Sequence, residues 1–247
     1  MHEVTNEQPA WVLARKNYGD NGLLVEFFTA EWGRCGAVVR GAHRKKRGGS
    51  LASLLQPFQP LLVSMVGKGE LKTVRQVEAP SPGFSLRGEA LIHGLYINEL
   101  LVRLLPRFDA LPYLFVEYGR AAERLGAAAC ESTLRRFELA LLSELGYRLN
   151  LRTDENGEAI REHGHYRLES ERGLCIVTGQ LSSSEPAVAT GRQILRMQQW
   201  WDEELELERD DLATLKRLTR VAMTQLTSGR TLHTQALVRN LRSHQRN

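Results

Sequence analysis

Four cations stand side by side in the sequence, Arg44-Lys45-Lys46-Arg47, between a β-branched run and two glycines. From Trp32 to Gly69 the chain has seven Lys or Arg residues and no Asp or Glu. Such a segment cannot neutralise its own charge, so it either stays solvated and contacts nothing or meets an external polyanion. Neutralising phosphates releases condensed counterions, which supplies most sequence-independent affinity for nucleic acid. The run therefore predicts a basic loop, Arg40 to Arg47, that contacts nucleic acid.

Further cations of the N-terminal region extend this basic surface if their strands face the same way. The candidate nucleic-acid-binding residues are Arg34, Arg40, Arg44, Lys45, Lys46, Arg47, Lys72, Arg75 and Trp32, and Arg15 and Lys68 could join them. Each isolated cation has a plain alternative, because a cation on a strand is usually just an exposed side chain. Trp32 is included because proteins that bind single strands stack bases on aromatic rings, and a tight turn is predicted at Glu31-Trp32-Gly33.

Two groups of residues have side chains that could bind a metal ion. His163, His165 and Cys175 lack a fourth ligand of suitable type and spacing, so the sequence does not favour a structural zinc site. The acidic run from Asp202 to Asp211 could hold the two metal ions of a nuclease. Its carboxylates spread around a helix and its N-terminal approach, and Asp210 or Asp211 is more simply explained as an N-cap.

The sequence contains no pattern typical of nucleophilic or acid–base catalysis, neither G-x-S-x-G nor a Cys/His arrangement with supporting context. Gly67-Lys68-Gly69 lacks the spacing of a phosphate-binding loop and predicts a hairpin turn. We therefore expect no enzymatic activity and no cofactor. Two alternatives stay open: a metal-dependent nucleic-acid-processing enzyme that uses the carboxylates of residues 202–211, and a protein-interaction adaptor whose basic loop binds an acidic partner.

Five short segments rich in β formers occupy the first 80 residues. Trp11, Val12 and Leu13 open the first, and a turn-rich stretch follows at Asn17–Gly22. The others are Leu23–Thr29, Cys35–Arg40, Phe58–Val66 and Leu71–Glu78. Five short strands fit a small closed barrel such as the oligonucleotide-binding (OB) fold. Phe27 and Phe28 are adjacent on one strand and must point to opposite faces, so at most one of them fills the barrel.

The clearest boundary in the chain is Ala79-Pro80-Ser81-Pro82-Gly83, since proline and glycine end strand pairing and a helical period follows. Helices are predicted from Leu91 up to Pro106 and over Tyr113–Leu125, Ser132–Leu145, Gly191–Trp201, Asp211–Leu226 and Leu232–Leu241. We predict an α+β chain, with a five-stranded OB-fold barrel over residues 1–80 and a mainly α-helical domain over 81–247. A β-hairpin insertion is expected at about residues 147–180, where the helical period is lost.

Composition places the chain in a reducing compartment. The formal net charge is +4, and the three cysteines are scattered without a C-x-x-C pair. No apolar run approaches the roughly 18 residues of a membrane-spanning helix, and the N-terminus lacks the order of a signal peptide. We expect a soluble, cytoplasmic protein with no membrane partner.

The segment Leu134-Arg135-Arg136-Phe137-Glu138-Leu139 places two arginines beside an apolar stripe that is core by default. Together with Arg217 and Arg220 on a later helix, these arginines could edge an apolar groove. Such a groove suits a short acidic peptide that ends in a hydrophobic residue and a free carboxylate.

Four motifs in the sequence resemble the bacterial DNA repair protein family RecO. They are Val39-Arg40-Gly41-Ala42-His43-Arg44, Leu55-Gln56-Pro57-Phe58-Gln59-Pro60-Leu61, Gly94-Leu95-Tyr96-Ile97-Asn98-Glu99-Leu100 and Leu134-Arg135-Arg136-Phe137-Glu138-Leu139-Ala140-Leu141-Leu142. They occur in the family's order across residues 10 to about 240. Four short motifs in the correct order make a specific match that covers essentially the whole chain.

The resemblance implies an N-terminal OB domain, a helical C-terminal domain and a role as recombination mediator. RecO proteins bind single- and double-stranded DNA and anneal complementary strands. They engage the acidic C-terminal tail of single-stranded DNA-binding protein (SSB), and with RecR they help to load RecA at gaps. By this resemblance the arginine of the family's SSB-tail site falls on Arg135, with Arg136, Arg217 and Arg220 as further candidates, and the protein is expected to be nucleoid-associated.

One departure from the family concerns zinc. Many RecO proteins carry a four-cysteine zinc module in the segment that corresponds to residues 147–180, and only Cys175 is present here. The chain is similar to a zinc-free branch of the family, in which packing holds the hairpins.

Overall fold

The computed structural model describes residues 7–44, 49–128, 130–147, 149–169, 172–178, 188–203, 206–227 and 232–234. The chain forms two compact units, residues 1–129 with 232–247 and residues 130–231. The first helices after residue 80 therefore belong to the same compact unit as the N-terminal strands. The domain boundary at residue 80 stays a prediction.

The first unit contains a closed five-stranded barrel. Its strands are β1 (Gln8–Tyr18), β2 (Gly22–Thr29), β3 (Gly33–Val39), β4 (Leu61–Val66) and β5 (Leu71–Glu78). Their order around the barrel is β1-β2-β3-β5-β4, with β3 and β5 parallel and the other neighbours antiparallel. This is an OB-like barrel, and with the helices and the small extra sheet that follow it the predicted fold class is confirmed.

The ends of two strands differ from the prediction. Asn17 and Tyr18, predicted in a turn, belong to β1, because this strand passes through a bulge and stays paired with β2 as far as Gly22. Phe58, predicted to open a strand, precedes β4 and has a φ of 64°, which a strand residue does not adopt. A short helix that the sequence pattern does not indicate, α1 (Leu51–Leu54), packs against the barrel core.

Two longer helices complete the described fold of the first unit. They are α2 (Gly88–Leu104) and α3 (Pro112–Ala127), and both correspond to predicted helices. Buried Asn98 of α2 donates to the carbonyl of Leu13 at 3.0 Å and accepts from the Tyr118 hydroxyl of α3 at 2.8 Å. Because a buried amide must be hydrogen-bonded, this link ties both helices to β1. Most of the predicted helix at 232–241 lies outside the described residues.

The alternation of side chains on β2 separates the interior of the barrel from its outer surface. Phe27 lies in the barrel core, and the neighbouring Phe28 is equally buried outside it, packed on Phe115 and Tyr118 of α3. The prediction that only one of the two fills the barrel is confirmed.

The second unit combines three helices with a small sheet. Its elements are α4 (Glu131–Glu144), β6 (His165–Glu169), β7 (Gly173–Ile176), β8 (Val188–Thr190), α5 (Gly191–Glu203) and α6 (Arg209–Leu226). The sheet order is β7-β6-β8, so the predicted hairpin gains a third strand. Helix α6 has Glu208 as its N-cap, so the expectation of an N-cap at Asp210 or Asp211 is wrong; both lie in the first helical turn, where the dipole still favours them. None of the described helices has both the length and the apolar character needed to cross a membrane.

Candidate nucleic-acid interface

The described part of the basic loop presents its charge to solvent. β3 ends at Val39, one residue before its predicted end, and Arg40 begins a turn in which the Arg44 amide donates to the Gly41 carbonyl at 3.0 Å. Arg40 and Arg44 are exposed, and among the described residues no carboxylate forms an ion pair with either. Lys45, Lys46 and Arg47 lie outside the described residues.

A depression of about 420 Å³ lies on the barrel surface beside the root of this loop, and we call it the Tyr18 depression. It is lined by the β1–β2 turn, by Arg40 and by the first residues of β5. About half of the Tyr18 and Leu71 side chains is exposed, next to the cations Arg40 and Lys72. Exposed rings and apolar side chains between cations are typical of surfaces that bind single strands.

A second depression, of about 530 Å³, lies next to His43 of the basic loop and Ser50, which follows the loop, and we call it the His43 depression. Arg15, Lys16 and His43 line it together with hydroxyl and amide side chains, and no carboxylate is among its lining residues. Arg15 donates to the Ala52 carbonyl at 2.6 Å, which fixes its guanidinium at the rim. This composition suits phosphate oxygens more than bases.

Trp32 and Lys72 lie close together, a contact that the sequence patterns of their two segments did not predict. Trp32 occupies the turn between β2 and β3, where the sequence predicts it, and is half-buried against Phe108, with 6.5 Å between the ring centroids. The Lys72 ammonium lies 5.2 Å from the Trp32 centroid and 5.0 Å from that of Phe108, and it donates to the Gly67 carbonyl at 2.9 Å. Cation–π attraction thus holds Lys72 at the edge of the Tyr18 depression.

Arg34 is the predicted site residue whose surroundings differ most from an open basic patch. Its side chain is 15% exposed, and its Nη1 lies 3.7 Å from Oε2 of Glu26, which also pairs with Arg107. The pKa of Arg34 is lowered, chiefly by burial and further by the nearby Arg107 guanidinium. The Glu26 carboxylate acts in the opposite direction and raises it. The structure therefore places Arg34 in an ion-pair cluster on the outer face of β2 and β3.

The remaining predicted cations of the barrel are exposed. Arg75 points outward from β5, and Lys68 lies in the predicted hairpin turn between β4 and β5. Sequence reasoning missed Arg107 and Phe108, which follow α2 and are separated from the end of β3 by nearly 70 residues. A charged and an aromatic residue after Pro106 indicate a loop, but no local pattern connects that loop to the barrel.

Arg135 does not edge an exposed groove in the second unit. It is 5% exposed on α4, its Nη1 lies 2.7 Å from Oε2 of Glu138, and it donates to the Thr219 hydroxyl at 3.0 Å. Because Thr219 belongs to α6, Arg135 joins the two helices. The predicted role of Arg135 in binding the SSB tail stays a prediction. Because Arg135 is buried, it would act by holding α4 against α6 and not by touching the tail.

The other arginines of the predicted tail site lie nearer the surface. Arg136 stacks on Trp200, 4.9 Å from its ring centroid, and donates to the Trp200 carbonyl at 3.0 Å. Arg217 and Arg220 are exposed, three residues apart on α6, and Arg217 donates to the Thr214 hydroxyl at 2.9 Å. Side chains three apart on a helix share one side, so these two guanidiniums can meet one ligand.

Two described carboxylates of the acidic run, those of Asp202 and Asp211, form ion pairs. Asp211 is buried and accepts a hydrogen bond from Nη2 of Arg196 at 2.9 Å, and its other oxygen lies 2.7 Å from Nε of the same guanidinium. The hydrogen bond that Arg196 donates to this carboxylate raises the pKa of Arg196. Asp202 pairs with Arg152 at 2.7 Å. Within the described ranges, no three His, Cys, Asp or Glu residues are grouped so that they could hold a metal ion.

Comparisons with known proteins identify the family. The family model for the N-terminal part of recombination protein O matches residues 1–82, and the model for its C-terminal part matches residues 86–235. The chain belongs to the RecO family. The DNA repair protein RecO of Halorhodospira halophila is 38% identical over 95% of this chain and 97% of its own length. The DNA repair protein RecO of Stutzerimonas stutzeri is 39% identical over 97% of this chain and 96% of its own length.

The RecO resemblance drawn from four short motifs is thus confirmed, and with it membership of a DNA repair family. The RecO proteins of Alkalilimnicola ehrlichii and Methylococcus capsulatus are 38% and 45% identical, over 95% and 66% of this chain. In this RecO chain, burial and the Glu155 carboxylate raise the pKa of the Cys175 thiol.

Proposed function

We propose that this RecO protein is a non-catalytic mediator of homologous recombination that acts in the cytoplasm, at the nucleoid. It binds single- and double-stranded DNA through its barrel, anneals complementary strands and engages the acidic C-terminal tail of SSB. With RecR it promotes the loading of RecA at gaps. No cofactor takes part, because annealing is downhill and needs only charge neutralisation and proximity of the strands.

One observation carries the DNA-binding part of this proposal, namely the mixed surface of the Tyr18 depression beside the root of the basic loop. Arg40 and Lys72 supply positive charge there, and Tyr18 and Leu71 supply apolar surface. Phosphates bind the cations, and every base has an apolar face, so the mixture suits a single strand of any sequence. Exposed Arg44 continues the same positive charge within the loop.

The His43 depression supports the annealing part of the proposal. It adjoins His43 of the loop and Ser50 beyond the loop, and it is lined by Arg15, Lys16 and His43 without a carboxylate. Two strands that each approach one basic depression would share the cations of the loop between them. Shared counterion release lowers the repulsion between two phosphate backbones, which is the main barrier to their meeting.

The second unit is proposed to receive the SSB tail. Arg217 and Arg220 on α6 are exposed and can form charge-assisted hydrogen bonds with acidic side chains and a terminal carboxylate. Arg136 lies over the rings of buried Trp200 and half-buried Trp201, so its charge is held beside a partly exposed aromatic ring. Arg135 contributes by holding α4 to α6 through Thr219.

An annealing assay tests the proposal. Complementary strands are mixed bare, coated with SSB, and coated with SSB that lacks its C-terminal tail, and duplex formation is followed by fluorescence energy transfer. We expect the protein to accelerate annealing of bare and SSB-coated strands, and the acceleration on coated strands to disappear with the tail. A rate on bare strands equal to the uncatalysed rate would contradict the proposal.

A further inference from the structure

The connection between α2 and α3, residues 105–111, lies against the outer face of the barrel. The Phe108 amide donates to the Arg34 carbonyl at 3.0 Å, and Arg107 forms an isolated parallel bridge with Arg34. Phe108 has a φ of 56°, a conformation that costs a residue with a side chain about 1 kcal/mol or more. The backbone of this connection is therefore held in a fixed position beside β3, and the direction of the Arg107 side chain is held with it.

Two glycines of β3 make this close approach possible. A Cβ on Gly36 would lie 2.9 Å from Nη1 of Arg107, so a side chain there would push the guanidinium away from its place over the strand. Gly33 has a φ of +62°, and a Cβ there would lie 1.7 Å from the Asp109 carbonyl oxygen. The outer face of β3 is thus shaped to receive the connection.

The charges of this cluster do not balance. Arg34 and Arg107 share one carboxylate, that of Glu26. Nε of Arg34 and Oε2 of Glu26 are buried without a hydrogen-bond partner among the described residues. Arg107 remains 35% exposed, so an incoming anion can reach it from solvent. A guanidinium that is desolvated and incompletely hydrogen-bonded is a binding position for a further anion.

We propose that Arg107 and Arg34 bind a phosphodiester group of a DNA strand, and that Glu26 occupies this position when DNA is absent. The inference rests on the proposed function and adds to it a contact contributed from outside the barrel. A phosphodiester is the anion that fits, because the cluster adjoins the Tyr18 depression. The side chain of Leu71, which lines that depression, lies 3.7 Å from the position that a Cβ of Gly36 would take.

Glu26 acts in this arrangement as an internal competitor of phosphate. Two oxygens of a phosphate can accept both N–H groups of one guanidinium in a bidentate pair. The single carboxylate of Glu26 cannot form such a bidentate pair with two arginines at once. Replacing Glu26 by glutamine removes the competing carboxylate. One guanidinium charge that Glu26 neutralised then becomes available to bind DNA. One additional phosphate contact at ~0.15 M salt raises single-strand affinity about fourfold and the log–log salt slope by about 0.7.

The test measures binding of a fluorescent single-stranded oligonucleotide by the full chain between ~0.05 and ~0.3 M salt. We expect Glu26→Gln to bind about fourfold more tightly and Arg107→Ala about fourfold more weakly. Glu78→Gln is the matched control, since it adds the same charge at an exposed carboxylate of the barrel that hydrogen-bonds only Gln76 among described residues. Its gain should stay below twofold.

A double variant decides whether the gain depends on the arginine. In the Arg107→Ala background, Glu26→Gln should raise single-strand affinity by no more than Glu78→Gln does. Equal gains for Glu26→Gln and Glu78→Gln, or unchanged affinity in Arg107→Ala, would overturn this assignment while DNA binding by the unmodified protein stands. No DNA binding by the unmodified protein would refute the proposed function itself. Melting temperatures of all variants confirm folding, and Arg107 is exposed enough that its truncation should leave the fold intact.

Discussion

Glu99 of α2 holds the start of the C-terminal segment within the first unit. Its carboxylate accepts hydrogen bonds from the His233 amide at 2.6 Å, the Thr234 amide at 2.9 Å and the Thr234 hydroxyl at 2.8 Å, and it pairs with Arg103 at 2.8 Å. Three hydrogen bonds to a charged acceptor contribute about 2 kcal/mol each, and ordering three residues costs about 4 kcal/mol together. The net stabilisation of the segment is therefore about 2 kcal/mol.

We predict that Glu99→Ala raises local opening at residues 233 and 234 about 30-fold, since 1.4 kcal/mol corresponds to a factor of ten. Amide hydrogen exchange measured by mass spectrometry or NMR reports this directly. Glu89→Ala on the same helix is the control, because its carboxylate is largely exposed and its described ion pair is with His93. Unchanged protection of both amides in Glu99→Ala would refute the reasoning.

The same contact predicts a pH dependence. Burial alone would raise the pKa of Glu99, but hydrogen bonds from Thr234 and His233 and the charge of Arg103 together lower it. A carboxyl whose folded pKa lies below its unfolded value, which is about 4.3, stabilises the fold above that pH. The contribution is lost as the pH falls through the lowered pKa, so the difference between the unmodified protein and Glu99→Ala should vanish in acid.

Three further predictions concern residues of the second unit. Arg135→Ala should destabilise this unit by about 3 kcal/mol in thermal denaturation, because a buried carboxylate loses an ion-pair partner, and it should also weaken binding of an SSB-tail peptide. Arg220→Ala should cost less than about 0.5 kcal/mol of stability yet weaken peptide binding severalfold in fluorescence anisotropy, with affinity for bare DNA unchanged. Equal peptide affinity would contradict the tail assignment. Labelled DNA incubated with Mg²⁺ should stay intact, and cleavage that disappears in Asp210→Ala would favour the enzyme alternative instead.

Local patterns were sufficient to predict the barrel and the longer helices α2 to α6. Alternation on the strand that contains Phe27 and Phe28 indicates two faces, and turn residues such as Gly67 and Gly69 mark a hairpin that the structure contains. These features depend on neighbours in sequence, so the sequence carries them directly. Phe58 shows the limit, since its left-handed φ is imposed by packing in the fold and an apolar aromatic residue gives no sign of it.

Contacts between distant segments could not be predicted. The approach of Arg107 to Gly36 depends on where the connection after α2 returns, and neither residue type indicates a partner. The pairing of Arg135 with Glu138 and Thr219 likewise turns a residue that is polar in the sequence into a buried link between helices. Residue type and spacing therefore indicate which cations are candidates, and only the fold tells which of them remain exposed.

The central claim is that the basic loop and the adjoining barrel face bind the phosphates of DNA. The most direct measurement is the salt dependence of single-strand affinity for the unmodified protein and for a variant with Arg44, Lys45, Lys46 and Arg47 replaced by alanine. Four lost phosphate contacts should reduce the slope of log K against log salt by about 3. The same slope for both proteins would contradict the claim.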